Sequence, residues 1–291
     1  MNTTLIPDRR HWPEYLAEAG GLGLFMISAS VFTILFEHPE SPLRQQLPDA
    51  ISRRAFTGIA MGLTAMSIIY SRMGRRSGAH LNPAVTFTFF RLGKIAPRDV
   101  TGYVIAQFTG GVAGMILSAL LMGRLLADPA VDFAVTKPGA PGIAVAFFAE
   151  LVISAVLMLV VLSVSNTPRT AGFTGVCAGV CVATFITFEG PLSGMSINPA
   201  RTLASAVAAG KFTALWIYFL APPLGMALAS LLYQRIRGRA QVKCAKLQHA
   251  GSSRCIFCEY HSPGSHHHQP AERPESASVD ATHAIRRPAS T

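Results

Sequence analysis

Charged residues are scarce in this sequence, and their scarcity constrains the class of protein. Asp, Glu, Lys and Arg make up 14% of the 291 residues, whereas half of the residues are apolar. An ordinary soluble domain carries about 25% charged residues, so the composition indicates a membrane protein. The net charge of +10 agrees with this class, because basic residues collect in the cytoplasmic loops of membrane proteins. We therefore expect no nucleic-acid partner.

Patterns typical of secretion and of catalysis are also missing. The first 15 residues are polar, and the apolar run after them is too long for a signal-peptide core. The apolar segments contain no nucleophile–base pair and no group of metal ligands, which argues against an enzyme and against a cofactor. Cysteines are few, and Cys177 and Cys181 lie one helical turn apart in an apolar segment, which is typical of small packing residues.

Six apolar segments approach the roughly 20 residues that a helix needs to cross the hydrocarbon core. The sequence therefore predicts an all-α membrane protein, with a channel domain over residues 16–234. Residues 1–15 form a short N-terminal tail, and residues 235–291 are too polar to offset the entropy of ordering, which predicts a disordered tail. The six segments are Leu16–Phe36, Ala55–Tyr70, Val100–Met122, Ile143–Val164, Gly172–Phe188 and Phe212–Tyr233.

The placement of basic residues predicts the orientation. An even number of spans puts both termini on one side, and that side receives 18 of the 25 Lys and Arg residues. Because positive charge favours the cytoplasmic side, we expect both termini in the cytoplasm and the chain in the cell (inner) membrane. Arg53 and Arg54 fall on the opposite side and weaken this count without reversing it.

An internal repeat relates the two halves of the chain, about residues 16–123 and 143–234. The segment Ser77–Thr86 (SGAHLNPAVT) is identical to Ser193–Thr202 (SGMSINPART) at six of ten positions. Each copy follows the second span of its half. Because each half contains three spans, the halves must have opposite orientations in the membrane, which predicts an inverted repeat.

The Asn-Pro-Ala triplet of each repeat predicts the start of a helix. Asparagine is a favoured N-cap residue, and proline at the first helical position loses no hydrogen bond that the helix needs. Each helix is too short to cross the bilayer, so the sequence predicts two re-entrant half-helices whose N-termini meet near the midplane. Unwound backbone at that depth is tolerated where it lines a watery cavity, so the repeat predicts a pore. The triplets are Asn82, Pro83 and Ala84, and Asn198, Pro199 and Ala200.

With two Asn-Pro-Ala boxes in inverted halves, the second continuing into Arg201, the sequence resembles the major intrinsic proteins, the aquaporins and glycerol facilitators, over about residues 16–233. The resemblance implies a homotetramer in the lipid bilayer with one pore per subunit. The asparagine amides would donate to a passing oxygen, and the positive ends of two helix dipoles would repel cations and interrupt a proton wire.

The resemblance also implies a selectivity constriction around Arg201, an intramembrane charge of the kind that is usually functional. Its companions by the family pattern are Met195, Ile186 and a second-span residue that is either Met61 or Gly62. Water-selective relatives usually place His at the position of Ile186, so this constriction is more apolar than that of a strict water channel. Thr202 and the Tyr218–Phe219 pair resemble the water-channel branch, whereas residues 190–194 (GPLSG) resemble channels for glycerol or metalloid acids.

Four further residues match positions with a supporting role. Glu18 and Glu150, at equivalent places in the two halves, would hold the backbones behind the half-helices, and Gln107 in the third span belongs to the same pattern. His80 has two interpretations: it lines the cytoplasmic vestibule, or it only bonds loop backbone.

Glycines at Gly58 and Gly62, and at Gly175 and Gly179, have the spacing of closely crossing helices.

The C-terminal tail carries a possible metal site. Cys244, Cys255, Cys258 and His261 lie in the stretch CAKLQHAGSSRCIFCEYH, and thiolates with a nearby imidazole suit zinc or respond to oxidation. The other interpretation is an unstructured tail with incidental cysteines. His266–His268 could add weak metal affinity.

The predicted function is a passive channel for water that also passes some small neutral solutes and excludes ions and protons. The alternative in the same class is a glycerol or metalloid-acid facilitator. A secondary transporter also uses inverted repeats, but it needs a coupling carboxylate at the midplane, and the spans offer only Glu189 near a helix end beyond Glu18 and Glu150.

Overall fold

The computed structural model describes residues 11–238, 241–249 and 255–258, and regular structure in these ranges is entirely helical. Short helices and two 3₁₀ turns, Asp132–Ala134 and Ala171–Phe173, connect six long helices and two half-helices. In chain order the helices are α1 (Trp12–Glu37), α2 (Pro42–Gln46), α3 (Ala50–Tyr70), α4 (Arg72–Ser77), α5 (Pro83–Arg91), α6 (Pro97–Ala127), α7 (Ile143–Ser165), α8 (Thr174–Phe188), α9 (Gly190–Ser193), α10 (Pro199–Ala209) and α11 (Trp216–Arg237).

Each predicted span corresponds to one long helix, so the predicted fold class is confirmed. Within the described ranges, α1, α6, α7, α8 with its preceding 3₁₀ turn, and α11 are long and apolar enough to cross a membrane. The remaining long helix, α3, begins five residues before its predicted start. Asp49 caps it and accepts a 2.8 Å hydrogen bond from the backbone N–H of Ser52. The first turns of α3 therefore contain Arg53 and Arg54, which lower its mean hydropathy.

The outer surface of the bundle is apolar, as a lipid environment requires. Leu120 and Leu121 near the end of α6 are 77% and 72% exposed, and large apolar side chains are exposed along the other long helices as well. Apolar faces of this extent are unfavourable in water but favourable against lipid. The chain is therefore an integral, multi-pass membrane protein.

The two halves of the chain repeat the same order of elements. Helices α1, α3, α4, α5 and α6 correspond to α7, α8, α9, α10 and α11. Their packing is also symmetric: α1 packs on α6, α7 packs on α11, and α3 packs on α8 at the junction of the halves. Each half-helix packs against a long helix of the other half, α10 on α6 and α5 on α11. This exchange holds the two half-helices inside the bundle.

Glycines allow the close crossing of α3 and α8. A Cβ atom at Gly179 would lie 2.7 Å from the carbonyl oxygen of Gly62, which is closer than real side chains approach. Gly58 similarly faces the carbonyl oxygen of Ala183. The backbones touch here because neither helix carries a side chain at the contact.

The structure differs from the sequence prediction after residue 234. Helix α11 continues to Arg237, and residues 241–249 and 255–258, expected to be disordered, pack against the helical bundle. Val242, Ala245, Leu247 and Phe257 are each at most 5% exposed. We call residues 241–249 and 255–258 the tail segment, and the side of the bundle that they cover the tail face.

Candidate functional site

The two Asn-Pro-Ala triplets begin the half-helices. Asn82 and Asn198 are the N-cap residues of α5 and α10, with prolines at the first helical position. The side-chain oxygen of Asn82 accepts a 2.8 Å hydrogen bond from the N–H of Ala84, and that of Asn198 accepts a 3.0 Å bond from Ala200. The caps fix both side-chain amides, because the oxygen is bound to the helix and the nitrogen must point away from it.

Each asparagine also donates across the junction of the halves. Nδ2 of Asn82 lies 2.7 Å from the carbonyl oxygen of Ile197, and Nδ2 of Asn198 lies 2.7 Å from that of Leu81. An amide nitrogen carries two hydrogens, so each asparagine retains one donor after this bond. Both asparagines line the central cavity. The remaining donors are therefore available to a solute oxygen at the meeting point of the two helices.

The loops before the half-helices have left-handed backbone at matching positions. In the first loop Ala79 and Leu81 have φ of 55° and 51°, and in the second Met195 and Ile197 have φ of 48° and 52°. Non-glycine residues are strained in this region of φ, so the surrounding structure must hold these loops in place.

Glu18 holds the first loop. Its carboxylate accepts hydrogen bonds from the backbone N–H groups of His80 at 3.0 Å and Leu81 at 2.6 Å. The hydroxyl of Ser77 and Nε2 of Gln107 donate to the same carboxylate at 2.7 Å and 2.8 Å. Glu18 is completely buried, so these four donors stand in for the water that it has lost.

Glu150 holds the second loop in the same manner. Its carboxylate accepts from the N–H groups of Ser196 at 2.6 Å and Ile197 at 2.7 Å, and from the hydroxyl of Ser193 at 2.8 Å. It is also completely buried. The carboxylates of Glu18 and Glu150 are thus bound to protein donors and do not face the cavity.

A continuous cavity of about 340 Å³ runs between the half-helices. On the tail face it begins at Leu247 and His80, and on the opposite face it ends at Glu37 and Arg54. Most of its lining is apolar, and Asn82 and Asn198 place polar groups at its centre. Further lining residues come from α1, α3, α7 and α8, among them Phe25, Ala29, Ala65, Leu157, Val161 and Val182.

The residues predicted to form the constriction all line this cavity. They are Arg201, Met195, Ile186 and Met61. Of the two candidates in α3, Gly62 packs against Gly179 of α8, whereas Met61 lies on the cavity side. Arg201 is oriented by Thr136 in the connection between α6 and α7, whose hydroxyl accepts a 2.9 Å hydrogen bond from Nη1. Whether these four residues select the solute stays a prediction.

His80 occupies the tail-face end of the cavity. Its Nε2 donates to the carbonyl oxygen of Ala245 at 2.8 Å, and its ring stacks on Phe257 with centroids 5.4 Å apart. Nδ1 lies 3.1 Å from the hydroxyl of Thr86. His80 therefore has features of both interpretations: it lines the cavity, and it also forms a hydrogen bond with backbone.

Three of the four predicted metal ligands in the tail lie together. Sγ of Cys244 is 3.5 Å from Sγ of Cys255 and 3.5 Å from Sγ of Cys258. The imidazole beside them belongs to His249, whose Nε2 is 3.3 Å from Sγ of Cys258. His261, the histidine chosen from the sequence, lies outside the described residues, as do His266–His268.

The last spanning helix of each half carries one tyrosine that supports a re-entrant loop. This role was predicted from the sequence for neither residue, although Tyr218 was named in the Tyr218–Phe219 pair. The hydroxyl of Tyr103 donates to the carbonyl oxygen of Ser77, and that of Tyr218 donates to the carbonyl oxygen of Ser193, each at 2.5 Å. Both serines precede a re-entrant loop at equivalent positions. Alignment of the two halves beyond the Asn-Pro-Ala boxes is the signal that would have found this pair.

The fold and the cavity define an integral membrane protein built from two inverted halves around a central cavity. The sequence profile of the family described as "Major intrinsic protein" matches residues 7–233. This chain belongs to that family, whose members are channel proteins, and the predicted resemblance is confirmed.

Curated relatives are plant aquaporins. Aquaporin NIP1-4 of Oryza sativa subsp. japonica is 37% identical over 186 residues, which cover 62% of this chain and 66% of the relative. Aquaporin NIP2-2 of Zea mays is 39% identical over 181 residues, covering 62% and 59%. The alignments thus span less than two thirds of the relatives' lengths.

A solved structure has the same fold. The X-ray structure of the aquaglyceroporin from Plasmodium falciparum superimposes with a TM-score of 0.66 at 22% sequence identity. The superposition covers 80% of this chain and 99% of that one.

Proposed function

We propose that this protein is a passive channel for water and small uncharged solutes, excluding ions and protons. The observation that carries the proposal is the pair Asn82 and Asn198, whose crossed amides lie at the centre of a cavity that extends between both faces. A solute oxygen that accepts from both amides passes without a chemical step. The names of the relatives, which are aquaporins, support the same function.

Exclusion of cations follows from the charges around this point. The N-termini of α5 and α10 both point at the asparagines, and each contributes roughly half a positive charge. Arg201 adds a full positive charge to the wall of the cavity. A water molecule held by its oxygen at the asparagines directs both hydrogens outward, which interrupts proton transfer along a file of waters.

Coupled transport is a weaker proposal. A coupled transporter needs a carboxylate that binds an ion at the centre of its pathway. Among the described residues, Glu18 and Glu150 are buried and bound by the re-entrant loops, and Glu37 lies at the mouth, where its carboxylate accepts a 3.1 Å hydrogen bond from Nε of Arg53. Glu189, the residue after α8, is buried and does not line the cavity. None of the four carboxylates is therefore suited to couple an ion to a solute.

We propose water as the main solute, with leakage of small neutral solutes. Met61, Ile186 and Met195 give the constriction three apolar sides, and Arg201 gives one polar side. Such a wall favours a solute with a carbon face and a hydroxyl face, so a glycerol or metalloid-acid facilitator is the second candidate. Ile186 is the observation that favours the facilitator. Isoleucine offers no hydrogen-bond donor to the solute and no aromatic ring, whereas water-selective relatives usually place His at this position.

Stopped-flow light scattering on proteoliposomes tests both candidates. Water flux would be driven by an impermeant osmolyte, and glycerol or boric acid flux by its own gradient. We expect water flux well above that of empty liposomes and slower solute entry that falls further in Ile186→His, while water flux persists. Ile186→Val is the matched control. Fast glycerol entry in the wild type would make the facilitator the main function.

We further propose that the tail face is cytoplasmic and that the protein is a homotetramer. The loops of the tail face carry more basic residues than those of the opposite face, which supports the orientation. The family resemblance supports the assembly. Native mass spectrometry in detergent would measure the subunit number. Labelling of Glu40→Cys, an exposed position on the face opposite the tail segment, by an impermeant thiol reagent in right-side-out vesicles would test the orientation.

A further inference from the structure

The tail segment connects the two halves of the bundle across the mouth of the cavity. The backbone N–H of Lys243 donates to Oδ1 of Asn166, which follows α7 in the second half, at 2.8 Å. The N–H of Leu247 donates to the carbonyl oxygen of Gly78, which follows α4 in the first half, at 3.1 Å. Because its two anchors lie on opposite halves, the segment between them crosses the tail face.

The same segment places apolar side chains over the cavity. Leu247 lines the cavity and is 5% exposed. Phe257 stacks on His80 and also contacts Tyr103, with centroids 5.8 Å apart. These contacts form a lid whose inner surface faces the end of the cavity nearest Asn82.

A lid of this size needs a further constraint to stay in place. Residues 242–249 and 255–258 of the tail segment contain no helix and no strand. A short irregular segment buries too little apolar surface to offset its ordering entropy, and small folded units of this kind usually depend on disulfides or metal ions. The free cysteines of the segment are not joined in a disulfide.

The cysteine and histidine cluster has the dimensions of a tetrahedral metal site. One ligand atom from each of Cys244, His249, Cys255 and Cys258 lies within 4.8 Å of all the others. Zinc–sulfur bonds of about 2.3 Å in a tetrahedron separate the sulfurs by about 3.8 Å. The 3.5 Å separations of Cys244 from Cys255 and Cys258 are close to this value and far from the ~2.05 Å of a disulfide.

The sequence spacing and the charges around the cluster also suit zinc. Cys255 and Cys258 form a C-x-x-C pair in a turn, with the N–H of Cys258 bound to the carbonyl oxygen of Cys255 at 3.1 Å. Three thiolates and a neutral imidazole around Zn²⁺ leave one net negative charge. Lys94 and Lys246 are near enough to the cysteines for their positive charges to offset it.

We propose that Cys244, His249, Cys255 and Cys258 bind one Zn²⁺, and that the bound ion holds the tail segment over the tail-face mouth and lowers the permeability of the pore. The metal site is argued from the geometry, spacing and surroundings of the four ligands, and it does not depend on the proposed channel function. The effect on permeability rests also on the proposed channel function.

Cobalt titration of the purified full-length protein tests the metal site. Co²⁺ bound by thiolates gives intense charge-transfer absorption that imidazole ligands do not give, so this readout separates the cluster from His266–His268. We expect one equivalent of Co²⁺ to produce the thiolate bands, Zn²⁺ to displace it, and Cys255→Ser/Cys258→Ser to abolish the bands. The matched control is His266→Ala/His267→Ala/His268→Ala, which should retain them.

The His249→Ala variant tests whether the protein supplies four ligands to the metal ion or only three. His249→Ala should weaken zinc binding and shift the d–d bands of bound Co²⁺, because one nitrogen ligand is replaced by water. Unchanged spectra in His249→Ala, or bands that persist in the double serine variant, would overturn the assignment.

Osmotic water flux before and after zinc removal tests the lid. A membrane-permeant zinc chelator should raise the water flux of the wild-type protein several-fold, and added Zn²⁺ should restore the initial rate. Leu247→Gly should raise the flux while the cobalt bands remain. Equal flux with and without zinc, in a protein that shows the cobalt bands, would contradict the lid. If no variant conducted water under any condition, the channel function would fail, whereas the cobalt titration would still decide the metal site.

Discussion

The side-chain nitrogen of Asn82 lies 2.7 Å from the carbonyl oxygen of Ile197, the residue that precedes Asn198. The reverse bond, from Asn198 to the carbonyl oxygen of Leu81, has the same length. Each half-helix therefore anchors the loop that precedes the other half-helix. The left-handed backbone at Leu81 and Ile197 turns their carbonyl groups toward these amides, so the strain in the loops serves the contact between the halves.

Asn198→Asp tests whether the charge at this contact excludes cations. Aspartate caps a helix as well as asparagine does, so α10 should remain folded. Its negative charge would offset the positive ends of the two helix dipoles and admit cations or protons. We expect a proton leak, measured with a pH-sensitive dye inside liposomes under a potassium diffusion potential.

Asn198→Ser is the matched control for this substitution, because it preserves a cap without adding charge. Its proton leak should stay at the wild-type level. Equal leaks in the aspartate and serine variants would contradict an electrostatic origin of exclusion.

Glu18→Ala should destabilise the protein more than a typical substitution does. The change leaves buried donors of Ser77, His80, Leu81 and Gln107 without an acceptor. An unpaired buried donor costs about 1–3 kcal/mol, so a loss of roughly 3 kcal/mol or more is expected. The measurement is the thermal unfolding temperature in detergent, with exposed Glu40→Gln as the control. A change no larger than that of the control would show that the loop keeps its shape without the carboxylate.

Gly179→Ala should separate α3 from α8. Its new methyl group would lie 2.7 Å from the carbonyl oxygen of Gly62, so one helix must move. Forcing extra volume into a close-packed contact usually costs about 1–3 kcal/mol. Gly172→Ala is the control, since a Cβ there meets no atom within 4 Å. Equal unfolding temperatures for the two variants would mean that the crossing adapts without cost.

Much of the fold was predictable from the sequence because it depends on local patterns. Apolar runs marked the spans, and the repeated Asn-Pro-Ala boxes marked α5 and α10 together with the inversion. The start of α3 was missed because Arg53 and Arg54 resemble a loop, although Asp49 caps the helix before them. A pattern of apolar residues does not show that a helix can begin at a capping residue and contain charged residues in its first turns.

The details of the site depended on the path of the chain in three dimensions. Met61 and Gly62 are adjacent in sequence, and only the packing of Gly62 on Gly179 assigns Met61 to the cavity side. His249 and His261 flank the same C-x-x-C pair, and spacing alone does not choose between them. The fold places His249 beside Cys258, with its Nε2 3.3 Å from Sγ of that cysteine.

Glu189, the residue after the fifth spanning helix, should make stability depend on pH. It is 8% exposed, and neither carboxylate oxygen has a hydrogen-bond partner, since the nearby hydroxyl of Ser193 donates to Glu150. Burial, together with the negative charge of the Glu150 carboxylate, raises the pKa of Glu189 to about 7. In the unfolded chain the pKa of a glutamate is about 4.3.

The direction in which stability changes with pH follows from the protons that the folded and unfolded states bind. Between about pH 4.3 and 7 the folded state keeps a proton that the unfolded state loses, so stability falls as the pH rises through this window. The fall amounts to roughly 2–4 kcal/mol and is complete above about pH 8. Glu189→Gln keeps the shape and stays neutral. Its unfolding temperature should match the wild type at pH 4.5 and exceed it at pH 8. Parallel curves for the two proteins across this range would mean that Glu189 is already ionised in the fold, and that an unrecognised donor stabilises it.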